Sequence, residues 1–555
     1  MKPHPSPRPA DGPRDGAISR RELLAAAGAT ALALARPEGA GPLAQRSPGG
    51  GFPSADALPL DEITIAQLQD AFFKGTATSR AVCESYVARI QARNPSLRAV
   101  IELDPDALSV AGALDAERRA GKLRGPLHGV PVLIKDNIAT LDRMQTTAGS
   151  LALVGAKVPR DAFIAARLRA AGAVILGKAN LSEWANYRST HASSGWSGRG
   201  GQCGNPYALD RTPSGSSSGT AAAISGNLCA VGVGTEPDGS IVDPSSRNGL
   251  VGIKPTLGLV SRAGIVPIAH SQDTAGPICR TVADAAIVLT AIAGVDPRDA
   301  ATAAAAGRIA PDYTKFLDPN GLKGARIGVP REYYTGYSRH ADGALAAALD
   351  AMRAAGATIV DPAPLRADRE YGDDESTVLS YEFKADLNAY LAELAPGAMV
   401  RTLADLIGWN EAHRAQEMPF FGQEIFEKAE ARGPLTEQAY LDALAKCRRL
   451  SREEGIDSTM DKFKLDALVA PTNGPATPID LVNGDCGGGG GSSSPAAVAG
   501  YPSITVPAGW AFGLPCGISF FGRAWSESVL IRIAYAFEQA TGVRRPPRFL
   551  ATAAL

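Results

Sequence analysis

Histidine and cysteine are scarce in this chain, and their spacing does not suit a metal. Its 555 residues include 6 His and 7 Cys, with no C-x-x-C pair among Cys83, Cys203, Cys229, Cys279, Cys447, Cys486 and Cys516. A zinc or iron–sulfur site draws on clustered soft ligands, so no metal and no other cofactor is expected, and no nucleotide or haem motif stands out. An odd, scattered set of thiols reads as reduced and buried, with a single disulfide as the alternative. Excess charge is missing as well: 56 Lys and Arg oppose 57 Asp and Glu, for a formal net charge of −1. That balance gives no long-range pull toward nucleic acid or anionic membranes, and a small or peptide-like substrate fits better. No internal repeat and no long linker rich in Pro, Ser or charge interrupts residues 56–545. One large domain is therefore the simpler reading, although length alone suggests three or four. What the chain does have, at 45% hydrophobic and 20% charged residues, is material for an extensive core.

The first 35 residues read as a twin-arginine-type export signal. Arg20 and Arg21 precede Leu23–Ala35, an uncharged alanine-rich stretch that ends in Ala33-Leu34-Ala35 before Arg36. Its 13 residues fall short of the roughly 20 that a membrane-spanning helix needs. Contact with the twin-arginine export machinery and a periplasmic or extracellular destination follow as expectations. Residues 36–55 read as a flexible leader, 56–545 as the folded domain and 546–555 as a C-terminal tail. A monomer is expected.

Within the domain, helical and strand patterns alternate as in an α/β sheet. Ile65–Ala92 carries apolar residues at helical spacing behind Thr64 and again behind Thr78-Ser79, which predicts two capped helices. The run Gly129-Val-Pro-Val-Leu-Ile-Lys135 reads as a buried strand whose end delivers Lys135. A helix over 162–171 leads into a strand over 173–177, strands return at 466–470 and 503–507, and 526–541 is an amphipathic helix. Residues 340–460 are rich in Ala, Leu and charge and read as a mostly helical outer layer or cap. The run Gly487–Gly491 is either a surface loop or a movable rim.

Residues 211–256 concentrate the chemistry. Two small-residue loops, GSSSG at 215–219 and GTEPDGSI at 234–241, present serine hydroxyls on backbone that glycine lets bend tightly, with Ser216 and Ser240 24 positions apart. Gly215–Gly219 also fits G-x-S-x-G, which would make Ser217 a nucleophile served by His270, His340 or His413. That elbow needs a strand directly before it, whereas NPYALDRTPS is turn-like, so Ser217 is expected instead to support Ser216 by hydrogen bonding.

The order GVPVLIKDN, GSSSG, GTEPDGSI, together with GKANLSEWAN at 177–186, GLVGIKPTLGLVSRAGIVPI at 249–268, SQDTAGPICRTVADAA at 271–286, AAVAGYPSITVPAG at 496–509 and GISFFGRAWSE at 517–527, resembles the amidase signature family. The resemblance implies a single large α/β domain with a central mixed β-sheet covered by helices on both faces. It also implies hydrolysis of a carboxamide C–N bond. Ser240 matches the family nucleophile, Ser216 the bridging serine beside a cis peptide, and Lys135 the base, with an acyl-enzyme on Ser240 and ammonia released. A lysine serves as base only when neutral, and burial lowers its pKa toward that state. The family's oxyanion donors are successive backbone N–H groups; since Pro237 has none, Asp238, Gly239 and Ser240 are expected to suffice. Val242 and Asp243 stand where many relatives carry arginine and a small residue, which argues against recognition of an acidic substrate there. The form GTExDGSIV and the export signal are most similar to bacterial peptide amidases, which take the C-terminal amide from peptides. The alternatives are other acyl or aryl amides, a role in tRNA amidation within a cytosolic complex, and an inactive exported binding protein. Trp184, Tyr187 and Trp196 are candidates to line a substrate pocket, or simply to pack.

Overall fold

Eleven strands build the sheet in a computed structural model that describes residues 58–365, 370–486 and 490–554. The expected export signal, the leader to residue 55 and Gly487–Gly489 lie outside the described residues. In chain order the strands are β1 (Val100–Leu103), β2 (Pro131–Lys135), β3 (Val174–Ala179), β4 (Val231–Glu236), β5 (Val251–Lys254), β6 (Thr274–Cys279), β7 (Arg326–Gly328), β8 (Thr358–Val360), β9 (Ala467–Pro471), β10 (Ser503–Ala511) and β11 (Leu514–Phe521). Across the sheet they run β1-β3-β2-β4-β6-β5-β10-β11-β9-β7-β8. Pairs β3/β2, β2/β4, β9/β7 and β7/β8 are parallel and the others antiparallel, so the sheet is mixed as expected. The apolar runs of β2, β3, β4, β5, β6, β9 and β11 are buried along their whole length, because helices cover both faces.

The two capped helices form as Ile65–Lys74 and Ser79–Leu97, with Thr64 and Thr78 accepting from Gln67 and Ala81 N–H. The helix Phe163–Ala170 feeds β3, and Glu527–Thr541 ends the helical part of the chain. Glycine at two positions of β4 decides how closely the helix Ser218–Ser225 can lie. A Cβ on Gly232 would stand 2.5 Å from Thr220 Cγ2, and one on Gly234 would stand 2.6 Å from Ser217 Oγ. Backbone against helix is thus what brings the 216–218 turn onto the sheet.

Residues 340–460 are mostly helical, as the sequence suggests, but they also contribute β8 to the sheet edge. Phe383, Leu387, Leu403 and Phe426 of this segment pack on Ala148, Leu153, Trp184 and Ile268 in a second apolar cluster. The C-terminal tail lies against the domain: Leu209 N–H donates to Leu550 O at 2.8 Å and Phe549 N–H to Pro206 O at 2.9 Å. All seven cysteines are free, and every one but Cys486 is buried.

Candidate active site

Parallel pairing of β2 with β4 sets Lys135 beside Thr235. Lys135 is fully buried, and its Nζ donates to Ser216 Oγ at 2.7 Å, Thr235 Oγ1 at 3.0 Å and Thr235 O at 3.3 Å. Burial pushes the ammonium down to about 7, against the opposing pull of Asp273 and Glu236. Asp136, the next residue along and likewise buried, accepts from the Thr147 hydroxyl and Gly149 N–H and lies 3.4 Å from Arg199.

The Gly215–Ser216 peptide is cis, as the resemblance implies. Ser182 of the 177–186 block fixes this turn by donating its N–H to Ser216 O at 3.1 Å. The second serine loop meets the first through backbone: Ser217 N–H donates to Ser240 O at 3.2 Å. No hydrogen bond joins the Ser216 and Ser240 hydroxyls directly. Ser240 is 5% exposed, so its Oγ sits at the edge of the cluster, within reach of an incoming molecule.

Ser217 departs from expectation. Its hydroxyl donates to Thr235 O at 3.1 Å and receives Thr235 N–H at 3.3 Å, so it supports β4 and not Ser216. This also removes it as a nucleophile: among the described residues no histidine hydrogen-bonds to it, and no strand directly precedes it. His270 is bonded to Asp386, His340 packs on Phe512 and His413 stacks on Trp409.

A residue the sequence reading passed over shapes the second loop. Glu236, buried at the end of β4, accepts N–H groups from Gly239 (2.8 Å), Ile241 (2.6 Å) and Val242 (3.0 Å). Gly239, at φ +79°, lets the turn wrap this carboxylate, which sits at the start of the short helix Val242–Arg247. Gly239 N–H is therefore spent within the turn, which corrects the expected set of three oxyanion donors. Ser240 N–H has no acceptor among the described residues. Asp238 turns its carboxylate to Ser494 Oγ at 2.6 Å, and burial pushes Asp243 up to about 8. Thr235 and Asn137 were also missed: Asn137 Nδ2 donates to Thr235 Oγ1 at 2.9 Å, completing the cradle of the lysine. Both lie inside the motifs that carry the resemblance, yet nothing in their spacing marks their side chains as inward.

Trp184 is 2% exposed and meets Phe426 edge-on at 5.9 Å inside the apolar cluster, the arrangement of a packing residue. Tyr187 is half-buried over Phe383 at 4.9 Å, and Trp196 is packed against Phe421 at 5.1 Å. Among the described residues one group, His270, Glu382 and Asp386, gathers ligand atoms within 4.8 Å. Its carboxylates are already engaged by His270 and Ser271 N–H and by Tyr440 OH, each at 2.8 to 2.9 Å.

A buried lysine, two serine loops and an eleven-stranded mixed sheet define a hydrolase of amide bonds, and comparison with known proteins agrees. The chain belongs to the amidase family, whose model matches residues 81–531. It is similar to a native peptide amidase from Stenotrophomonas maltophilia, 52% identical with a TM-score of 0.84 over 88% of this chain and 99% of that one. It is also similar to a probable amidase of Arabidopsis thaliana, 46% identical over 89% of this chain and 92% of the relative. A putative amidase of Schizosaccharomyces pombe is 37% identical over 90% of this chain and 88% of its own length.

Proposed function

We propose that the protein removes the C-terminal amide from peptides, releasing ammonia, through Lys135, Ser216 and Ser240. The observation that carries this reading is the neutralisable Lys135 amine held 2.7 Å from Ser216 Oγ, with the Ser240 loop bonded to the very next residue. Neutral Lys135 takes the proton of Ser216 as Ser216 takes that of Ser240, and Ser240 Oγ attacks the amide carbon. When that tetrahedral adduct collapses, the same relay returns the proton to nitrogen, the C–N bond breaks and ammonia departs. Water then attacks the ester on Ser240 with the lysine again as base. The Ser216–Ser240 hydrogen bond forms as the amide binds, since catalytic contacts tighten in the substrate complex. Ser240 N–H serves the oxyanion, and the Gly239 N–H held by Glu236 fixes the turn behind it.

Peptides are favoured over other amides because of the 52% identity to a peptide amidase across nearly the whole domain. Export rests on Arg20-Arg21 and the apolar stretch behind them. Ammonia release from equal concentrations of peptide amides, fatty acyl amides and short aliphatic amides tests the substrate class. Peptide amides are expected to give the highest kcat/KM by tenfold or more, on the order of 1.4 kcal/mol of transition-state preference. A higher value for acyl or aliphatic amides would reassign the substrate.

A further inference from the structure

Three neighbouring cavities, each sharing wall residues with the next, lie between the residues that cradle Lys135 and the surface. The innermost is lined by Asn137 and Thr235, and also by Ile265 and Asp273. Its free volume is about 10 Å³, close to the least that holds one water-sized molecule. A second cavity of about 270 Å³ shares Arg262, Ile265 and Asp273 with it. The third, about 410 Å³, shares Ala263, Arg298, Ala389 and Tyr390 with the second, and reaches exposed Ala389 and Arg160. From these shared walls we infer that ammonia leaves the active site through its own passage, past Asn137 and Asp273, between the 262–273 loop and the helix Gly372–Ala392. The inference rests on the amide-hydrolysis reading above.

Size decides what can pass. Ammonia has a single heavy atom, like water, whereas the peptide acid formed in the same turnover is far larger than the innermost space. The chemistry of the neck agrees. Asn137 is 2% exposed; its Nδ2 is used on Thr235, and its buried Oδ1 has no hydrogen-bond partner among the described residues. An unpaired buried acceptor calls for a donor, and ammonia brings three N–H bonds. Asp273 lines the first two cavities and is held in place by Ile268 N–H at 2.8 Å and Ala269 N–H at 2.9 Å, so it offers the next acceptor outward. Ile265 supplies the apolar wall common to both.

By microscopic reversibility ammonia also enters this way, which gives a direct assay. A peptide methyl ester acylates Ser240, and ammonium chloride and glycinamide then compete for the acyl group at a pH where both amines are partly neutral. In either case a C–N bond forms, the ester C–O bond to Ser240 breaks, and the proton lost by nitrogen returns to the serine oxygen. Glycinamide is too large for the neck and reaches the ester from the substrate side. Ile265→Phe fills the neck and is expected to lower the ratio of primary amide to glycinamide adduct at least fivefold, while Ile265→Val widens it and raises the ratio at least twofold. Cleavage of the methyl ester reports that each variant is folded. A ratio equal to wild type in the Ile265→Val enzyme, or in an ester-cleaving Ile265→Phe enzyme, overturns the passage. Wild-type protein that cleaves neither amide nor ester overturns the underlying hydrolase reading first, so the two failures are distinguishable.

Discussion

Replacing Ser240 with alanine is expected to lower kcat/KM for a peptide amide by about 10⁴-fold or more, because the residue forms the covalent bond and every later step depends on it. Ser216→Ala and Lys135→Ala should each fall almost as far. The three side chains act as one relay, so the Lys135→Ala/Ser240→Ala double variant is expected to be no more than about tenfold worse than either single change. Ser217→Ala supplies the contrast. Its hydroxyl holds Thr235 backbone and touches neither Lys135 nor Ser216, so its loss should cost about tenfold or less, within the range of one neutral hydrogen bond. Steady-state kinetics on a single peptide amide, with a methyl ester of the same acyl group in parallel, gives all five comparisons. Retention of more than a hundredth of wild-type activity by Ser240→Ala would remove it as the nucleophile.

The pH profile is expected to show a single acidic limb near the Lys135 value of about 7. Only the neutral amine takes a proton, so kcat/KM should rise tenfold per pH unit below that point and level off above it. Arginine cannot become neutral in this range, so Lys135→Arg should be as inactive as the alanine variant despite its similar length. Asp273 needs separating, because burial pushes its carboxyl up to about 7 as well. Its negative charge favours the Lys135 ammonium, which fixes the sign of the effect. Asp273→Asn should move the limb to lower pH and leave its slope intact if the lysine carries it. Disappearance of the limb in that variant would transfer the titration to Asp273.

Much of this site was legible because the chemistry sits on short, strongly patterned segments. The apolar run ending in Lys135 reads as a buried strand, and a helix plus a strand fit between Ser216 and Ser240, which is how two distant serine loops come together beyond the end of β4. Glu236 was not legible: its partners are N–H groups of its own turn, and they converge only once Gly239 takes a positive φ. The hydroxyl of Ser217 was misassigned for a similar reason, since the direction of a side chain at a helix start depends on how closely Gly232 and Gly234 admit the helix. Trp184 shows a different limit. Hydrophobicity marks an aromatic ring as buried, but cannot say whether protein or ligand covers it, and here Phe426 of the helical segment does. Strand order across the sheet, with β10 beside β5, joins segments some 250 positions apart that share no pattern detectable in the sequence.

The distribution of thiols has a practical consequence. Cys486 is exposed while the other six are buried, and it directly follows Asp485, which holds Ser194 through the N–H at 2.9 Å and the hydroxyl at 2.5 Å. Ser194 Oγ in turn lies 3.0 Å from where a Cβ on Gly215 would be, beside the cis peptide. A maleimide dye added to the native protein should therefore attach at one place, without engineered cysteines, and report from the neighbourhood of the catalytic turn; labelling at two or more sites would mean that the interior opens on the timescale of the reaction.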